Sequence, residues 1–291
     1  MKTTGIFKTH YYRIPVKNGE KIYLVPFGDI HRNAPLCSEE YWGRFLDQYR
    51  NDHDRVFFLG MGDYDDLCSA SEREILANPN IHESTAQNLN KYAEEKVKAI
   101  CEEISFMKGH LVGLLGGNHY WDFPSGINSD MMMAQILDTK YLGVSAFIRL
   151  CLAIQADEGT GVHSASIDIW AHHGKGAARL MGGSINRVAQ MREAGEADIY
   201  IMGHDHRKGA VPSGSKLELF GPGARLKVRH KVQWLVRSGS FLRGYVEDES
   251  SYVADAAMNP TDLGTVSIEL TANRMRVNDE DTTQVEIHAR T

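Results

Sequence analysis

A chain of 291 residues that is 42% apolar and 24% charged has material for a sizeable core, and its composition excludes the disordered and fibrous classes. The formal net charge of -6 weighs against general polyanion binding, although from His204 to Gly244 nine Lys or Arg stand against two acids, an excess that suits an anionic substrate. Cys37, Cys68, Cys101 and Cys151 form no CxxC pair, the N-terminus lacks an apolar h-region, and no apolar run nears the roughly 18 residues of a membrane span, so the reading is a cytoplasmic protein with reduced thiols and no membrane partner.

In chain order, HYYRIPVKNGEKIYLVPFGD reads as two strands around Asn18-Gly19, a dipeptide that supplies the positive φ angles of a tight hairpin. SEEYWGRFLDQYRND follows, with Ser38 as N-cap and Trp42, Phe45, Leu46 and Tyr49 on one helical face. RVFFLGMGD is the next strand. Between Leu67 and Gly109 lie a loop with Pro79 and a long helix, for which Ser84 and Gln87 predict a capping box and Leu89, Ala93, Val97, Ile100 and Ile104 a buried stripe. HLVGLLGGNH comes next, then a helix at SDMMMAQILD whose methionines read as core, then FIRLCLAIQ and SIDIWAHHG. GSINRVAQMREAG is a further helix, capped by Ser184 and ended at Gly195, before the strand ADIYIMGHDH. KVQWLVRSG, GTVSIEL and RMRVN belong to a strand-rich C-terminal part, about 207–291. Three successive strand, helix, strand units predict an α/β layered fold with its site at the carboxyl ends of the strands.

Chemistry gathers in the loops. Asp29 and His31 lie two apart, so on extended backbone both side chains face one way and can reach one ion. Four similar loops follow, each after an apolar strand: GDYDD (62–66), GGNHY (116–120), AHHG (171–174) and GHDH (203–206). Their glycines let the backbone bend while carboxylate, amide and imidazole groups converge.

These loops, in this order, resemble the calcineurin-like metallophosphoesterase superfamily, whose signature runs DxH, GDxxD, GNH, a strand-end His and GHxH. The likeness spans residues 21 to about 240 and takes in RSGS (237–240). It implies a layered β-sandwich of mixed sheets flanked by helices, in four α/β/β/α layers, as a single domain over residues 1–291 with a helical insertion at about 67–109. It also implies two divalent transition-metal ions. Asp29, His31, Asp63 and His206 would hold one ion and Asp63, Asn118, His172 and His204 the other, with Asp63 bridging. Of the AHHG histidines, His172 is taken as ligand because it directly follows the strand, and His173 as a substrate contact. His119 would protonate the leaving oxygen, oriented by Asp66, with Asp65 as competitor. Imidazole, carboxylate and amide ligands without thiolate suit Mn, Fe, Zn, Co or Ni, and manganese is the expectation in vitro. Such a pair of ions shares a bridging hydroxide that attacks phosphorus in line.

The chain departs from the superfamily pattern in two places. Tyr120 and Trp121 follow the GNH motif where an acid is common, which leaves Asp122 as a substitute carboxylate or the aromatic pair as a stacking wall. GDYDDLC lacks the phosphate-gripping arginine of the protein phosphatases; Arg32 or Arg243 is the candidate replacement. The leading expectation is a phosphodiesterase acting on a nucleotide-like or small phosphorylated compound. A nuclease acting on DNA or RNA, a phosphomonoesterase or protein phosphatase, and a non-catalytic scaffold are the alternatives. Nothing in the sequence speaks to oligomeric state.

Overall fold

The computed structural model describes residues 8–76, 82–155, 162–176, 178–220, 226–277 and 280–291. The elements run β1 (Lys8–Val16), β2 (Lys21–Phe27), α1 (Glu39–Arg50), β3 (Val56–Gly60), α2 (Ala70–Leu76), α3 (Glu83–Glu103), β4 (Leu111–Leu114), α4 (Ser129–Ile136), β5 (Ser145–Gln155) and β6 (Val162–His172). They continue with α5 (Met181–Ala194), β7 (Ile199–Met202), β8 (Lys208–Phe220), β9 (Lys227–Ser240), α6 (Tyr252–Asp255), β10 (Gly264–Thr265), β11 (Ser267–Val277) and β12 (Glu280–Arg290). The fold is mixed α/β, with two sheets and six α-helices among the described residues. One sheet has seven strands, in the order β1-β5-β6-β7-β9-β10 with β8 paired on β9; the other has five, β12-β11-β2-β3-β4.

Strand alternation sorts the apolar side chains between cores. Ile22 and Leu24 of β2 and Phe57 and Leu59 of β3 join Ile14, Leu150 and Ile169 of the seven-stranded sheet in one cluster. Their neighbours Val25, Phe27 and Phe58 point the other way, onto Trp42 and Phe45 of α1 and Val97 and Ile100 of α3. β2 and β3 are parallel and buried on both faces, which is why they read as unbroken apolar runs. Phe58 is fully buried, and cutting it to alanine costs about 3–5 kcal/mol. A third cluster sets Trp170, Tyr200 and Leu235 against Val188 and Met191 of α5. The four cysteines are all free and buried, and among the described residues no helix is long and apolar enough to cross a membrane.

Three local expectations are corrected. β1 and β2 are not a hairpin: β1 pairs in parallel with β5, and β2 pairs with β3 and β11. Ile14, Val16, Ile22 and Leu24 all belong to the same core, so the Asn18-Gly19 turn (φ of Gly19 +73°) carries the chain from one sheet to the other. At α3 the cap is His82, whose Nδ1 accepts the Ser84 N–H at 3.3 Å, while Gln87 bonds Glu83 instead of closing a box with Ser84. Ser184 lies inside α5, which begins at Met181; its hydroxyl donates to Asp205 Oδ2 at 2.5 Å instead of capping.

Candidate metal centre

Every loop of the site leaves the carboxyl end of a parallel strand. Asp29 and His31 follow β2, Asp63 and Asp66 follow β3, Asn118 and His119 follow β4, His173 follows β6, and His204 and His206 follow β7. Of the eight described non-glycine residues with positive φ, five are Asp29, His31, Asp63, His204 and His206. Left-handed backbone is costly for such residues and persists only where the surroundings enforce it. Two glycines let the loops close up. Gly62 has φ +97°, and a Cβ there would lie 2.7 Å from His173 Nδ1; a Cβ on Gly117 would collide with Asp63.

Each carboxylate divides its two oxygens between scaffold and cluster. Asp63 Oδ1 accepts the backbone N–H groups of Asn118 (2.6 Å) and His119 (3.0 Å), leaving Oδ2 3.3 Å from His173 Nε2 and 3.8 Å from His31 Nε2. Asp29 Oδ2 accepts the His204 N–H at 2.8 Å, leaving Oδ1 3.8 Å from His206 Nε2. The imidazoles are oriented in the same manner. His173 Nδ1 donates to the Met61 carbonyl at 2.8 Å, which turns Nε2 toward Asn118 Oδ1 (3.0 Å) and His204 Nδ1 (3.2 Å). His119 Nδ1 pairs with Asp66 Oδ1, and the same oxygen is 3.7 Å from His31 Nδ1. Asp65 instead takes the Asn33 amide, so the competitor to Asp66 faces away.

Three groups of side chains converge closely enough to hold an ion: Asp29, His31 and His206; Asp63, His173 and His204; and His31, Asp66 and His119. Two polar atoms in the first group, Asp29 Oδ1 and His31 Nε2, are buried and have no hydrogen-bond partner. A buried polar atom left unpaired costs about 1–3 kcal/mol, and coordination removes that cost. The donor set therefore fits divalent cations of the transition series.

The charges agree. Burial, with Asp63 nearby, raises the Asp29 carboxyl to about 6. Burial also works on Asp63, but His173, with His31 and His119, outweighs it and holds that carboxyl well below the usual range. His173 responds in kind: burial lowers it, Asp63 and Asp29 outweigh burial, and it rises to about 9. His204 is pushed down to about 4 by burial and by His173, and His206 is pushed well below its ordinary value by burial and by His31. His204 and His206 are therefore neutral, the protonation state that ligation requires. His173, and His31, where burial is outweighed by Asp66, Asp63 and Asp29, would each release a proton on binding an ion.

The expected residues are not all gathered here. His173, not His172, joins the cluster, and strand parity explains why. Ala171 lies in the inter-sheet core and Trp170 packs with α5, so His172 shares the outward side of Trp170 while His173 shares the inward side of Ala171. His172 Nδ1 instead accepts the Gly174 N–H at 2.8 Å. Arg32 is held by Glu103 (2.9 and 3.0 Å) and Glu39 (2.5 Å), and its guanidinium is already engaged. The Tyr120 ring lies under Arg73, 3.9 Å from its centroid, and Trp121 donates to Asn90. Arg243 leans on Ser38 and Glu40 beside a cleft that His204 and His206 also line. The basic stretch is largely neutralised: Lys208, Lys216, Arg229, Lys231 and Arg237 each face an acid.

Other residues that hold the site went unassigned in the sequence. Asp130, not Asp122, is the carboxylate behind the GNH loop, accepting the Gly117 N–H at 2.9 Å. Arg73 Nη1 bonds the Asn118 and Tyr120 carbonyls, both at 2.9 Å. Arg237 is almost fully buried, donates from Nε to Asp205 Oδ1 at 2.9 Å and from Nη2 to the Gly203 carbonyl at 2.8 Å, and so grips the loop that carries His204 and His206. An arginine inside the buried run QWLVRSGS was the legible signal, since a charge there needs a buried partner. A cleft of about 710 Å³ lies elsewhere, near Ser164, Asp198, His230 and Thr283, and contains none of these groups.

Neither family models nor curated proteins give a match to this chain. Among solved structures the chain is similar to Vps29 from Entamoeba histolytica. A single mutant of that protein shares 13% identity over 92% of this chain and 99% of that one, with a TM-score of 0.33. Its wild-type complex with Zn2+ shares 12% identity over 91% and 99%, with a TM-score of 0.34. Vps29 from Cryptosporidium parvum shares 13% over 93% and 99%, with a TM-score of 0.32. At such scores the functional reading rests on the geometry of this chain's own side chains.

Proposed function

We propose that this chain is a cytoplasmic dinuclear metal-dependent phosphoesterase of the calcineurin-like type, a single domain in four α/β/β/α layers, with a preference for phosphodiesters of small or nucleotide-like alcohols. The observation that carries the reading is the division of labour in Asp29 and Asp63, each with one oxygen fixed by backbone N–H groups and the other turned to imidazoles. Asp29, His31, His206 and Asp63 would hold one ion, and Asp63, Asn118, His173 and His204 the other. Bound there, two divalent ions supply Lewis acidity toward water and toward the phosphoryl oxygens. The chain's own contribution to proton transfer is His119. With Nδ1 tied to Asp66, its tautomer is set and Nε2 is the nitrogen that gives a proton to the departing alkoxide. Asp66, held low by its bonds to His119 and His31, stays anionic and fixes the orientation of the His119 ring.

The test is hydrolysis of bis-4-nitrophenyl phosphate and 4-nitrophenyl phosphate by protein loaded with Mn, Fe, Zn, Co or Ni. Turnover of the diester above the monoester is expected, and inertness with all five metals rejects the reading. Asp63→Asn should lose both ions on elemental analysis; retention of two equivalents contradicts the bridge. His119→Asn should keep its metals and lose roughly 10²–10⁴-fold in rate on poor leaving groups but less on nitrophenol. An equal loss on both argues against proton donation.

A further inference from the structure

A second feature adjoins the cluster. The cleft lined by His204 and His206 is walled by Leu36, from the loop after β2, and by Leu242, Val253 and Met258, from the stretch between β9 and β10. Its volume is about 120 Å³. An apolar cavity of about 150 Å³ holds one benzene ring, whereas clefts for whole drug-sized ligands begin near roughly 300 Å³. The space beside the histidines thus matches one ring or one branched alkyl group.

The far wall is built rather than draped. Thr261 Oγ1 donates to the Leu242 carbonyl (3.0 Å), Ser251 Oγ to the Gly244 carbonyl (2.5 Å), and the Tyr245 hydroxyl to the Met258 carbonyl (2.6 Å). Arg207, the residue after His206, reaches the Pro260 carbonyl at 3.3 Å. Bonds at both ends and in the middle close the stretch on itself as a compact loop, the kind of long connection that seldom occurs without a role.

We infer that this cleft receives one apolar ester arm of a phosphodiester whose phosphoryl group lies at the His and Asp cluster; the inference rests on the phosphoesterase reading. His204 and His206 belong to cluster and cleft alike, so an arm bonded to the phosphorus enters the cleft without a spacer. Leu36, Leu242, Val253 and Met258 form an apolar wall. Of the polar lining, Ser251 and Thr261 already donate their hydroxyls to main-chain carbonyls and Asp205 is held by Arg237. An arm laid against that wall, with Asn259 at its edge, is better matched by a ring or alkyl group than by a sugar. A monoester has no second arm to place there. Arg207 and Arg243 line the same cleft and put positive charge beside the anionic phosphoryl group.

The test separates binding from turnover. Diphenyl phosphate and dimethyl phosphate are titrated calorimetrically into Mn-loaded protein, and both are then assayed for hydrolysis. Diphenyl phosphate should bind at least tenfold more tightly, and Val253→Asp should reduce that ratio to about one. Met258→Ala, a milder change, should reduce it partway. Equal affinity in the wild type, or an unchanged ratio in both variants, overturns the cleft assignment. A preference that persists in protein inert toward bis-4-nitrophenyl phosphate with all five metals supports the cleft and rejects the phosphoesterase reading.

Discussion

On the five-stranded side of the centre, Asp29, His31, Asp63 and Asn118 sit in loops that are bonded to one another along the main chain. Asp29 N–H reaches Gly62 O, Ile30 and His31 N–H reach Asp63 O, and Arg32 N–H reaches Tyr64 O, all between 2.9 and 3.1 Å. On the seven-stranded side, the loop with His204 and His206 leans on one buried ion pair, Arg237 with Asp205, supplemented by the Ser184 hydroxyl. The first half distributes its support over many weak bonds, whereas the second adds one strong buried contact to bonds such as His204 N–H to Asp29 Oδ2 and Gly239 N–H to the Arg207 carbonyl. Distributed support tolerates single losses. A buried ion pair does not, because removal of one partner strands the other charge away from water.

The largest effect therefore belongs to Arg237. Arg237→Met should cost about 3–5 kcal/mol of stability, read as a lowered urea midpoint, and should weaken metal binding through His204 and His206. Adding Asp205→Leu should recover most of the stability, since an apolar pair of similar volume removes the stranded charge. A loss below roughly 1 kcal/mol for the single variant would make the two halves equivalent and end the contrast.

A smaller and pH-dependent effect belongs to Asp130, on the distributed side. Burial, with Asp63 adding like charge, raises this carboxyl to about 7 against an unfolded value near 4. The unfolded chain releases the proton first, so Asp130's contribution to stability is present in full below about pH 4 and is lost as pH rises through about 7. The substitution Asp130→Asn keeps an acceptor for the Gly117 N–H and removes the charge. In chelator-treated protein, the stability of this variant relative to wild type should climb between pH 4 and 7 and level off above. A difference that stays flat over that range contradicts a raised carboxyl.

Much of this arrangement is legible in the sequence as a list of loops and much less of it as orientation. Asp29, His31, Asp63, Asn118, His204 and His206 are readable because each stands at the polar end of an apolar strand. His173 is missed as a member of the cluster when position after the strand is weighed above parity. With Trp170 set on the outer face, period-two alternation turns His173 inward. Arg32 looks free in the sequence because its partner Glu103 lies 71 residues away at the end of α3. The Asn18-Gly19 turn reads as a hairpin because local turn chemistry does not say which sheet each flanking strand joins. Asp130, Arg73 and Arg237 act through the backbone of other loops, and only the three-dimensional contacts link them to the site.

The smallest effect sharpens the contrast from the other end. Tyr64, inside GDYDD between the proposed bridging Asp63 and the buried Asp65, is fully buried and donates to the Leu115 carbonyl at 2.8 Å, linking the β3 loop to the end of β4. Tyr64→Phe keeps the ring against Phe27, 5.9 Å between centroids, and removes only the hydroxyl. The cost should be about 1 kcal/mol, because one net hydrogen bond is lost and one carbonyl is left short of a partner. Metal affinity should hardly change: the Asp63 carboxylate keeps its bonds from Asn118 and His119, and the neighbouring loop keeps its main-chain bonds to Gly62 and Asp63. If instead Tyr64→Phe lowered metal affinity as much as Arg237→Met, calorimetry would show that the five-stranded half also depends on a single contact.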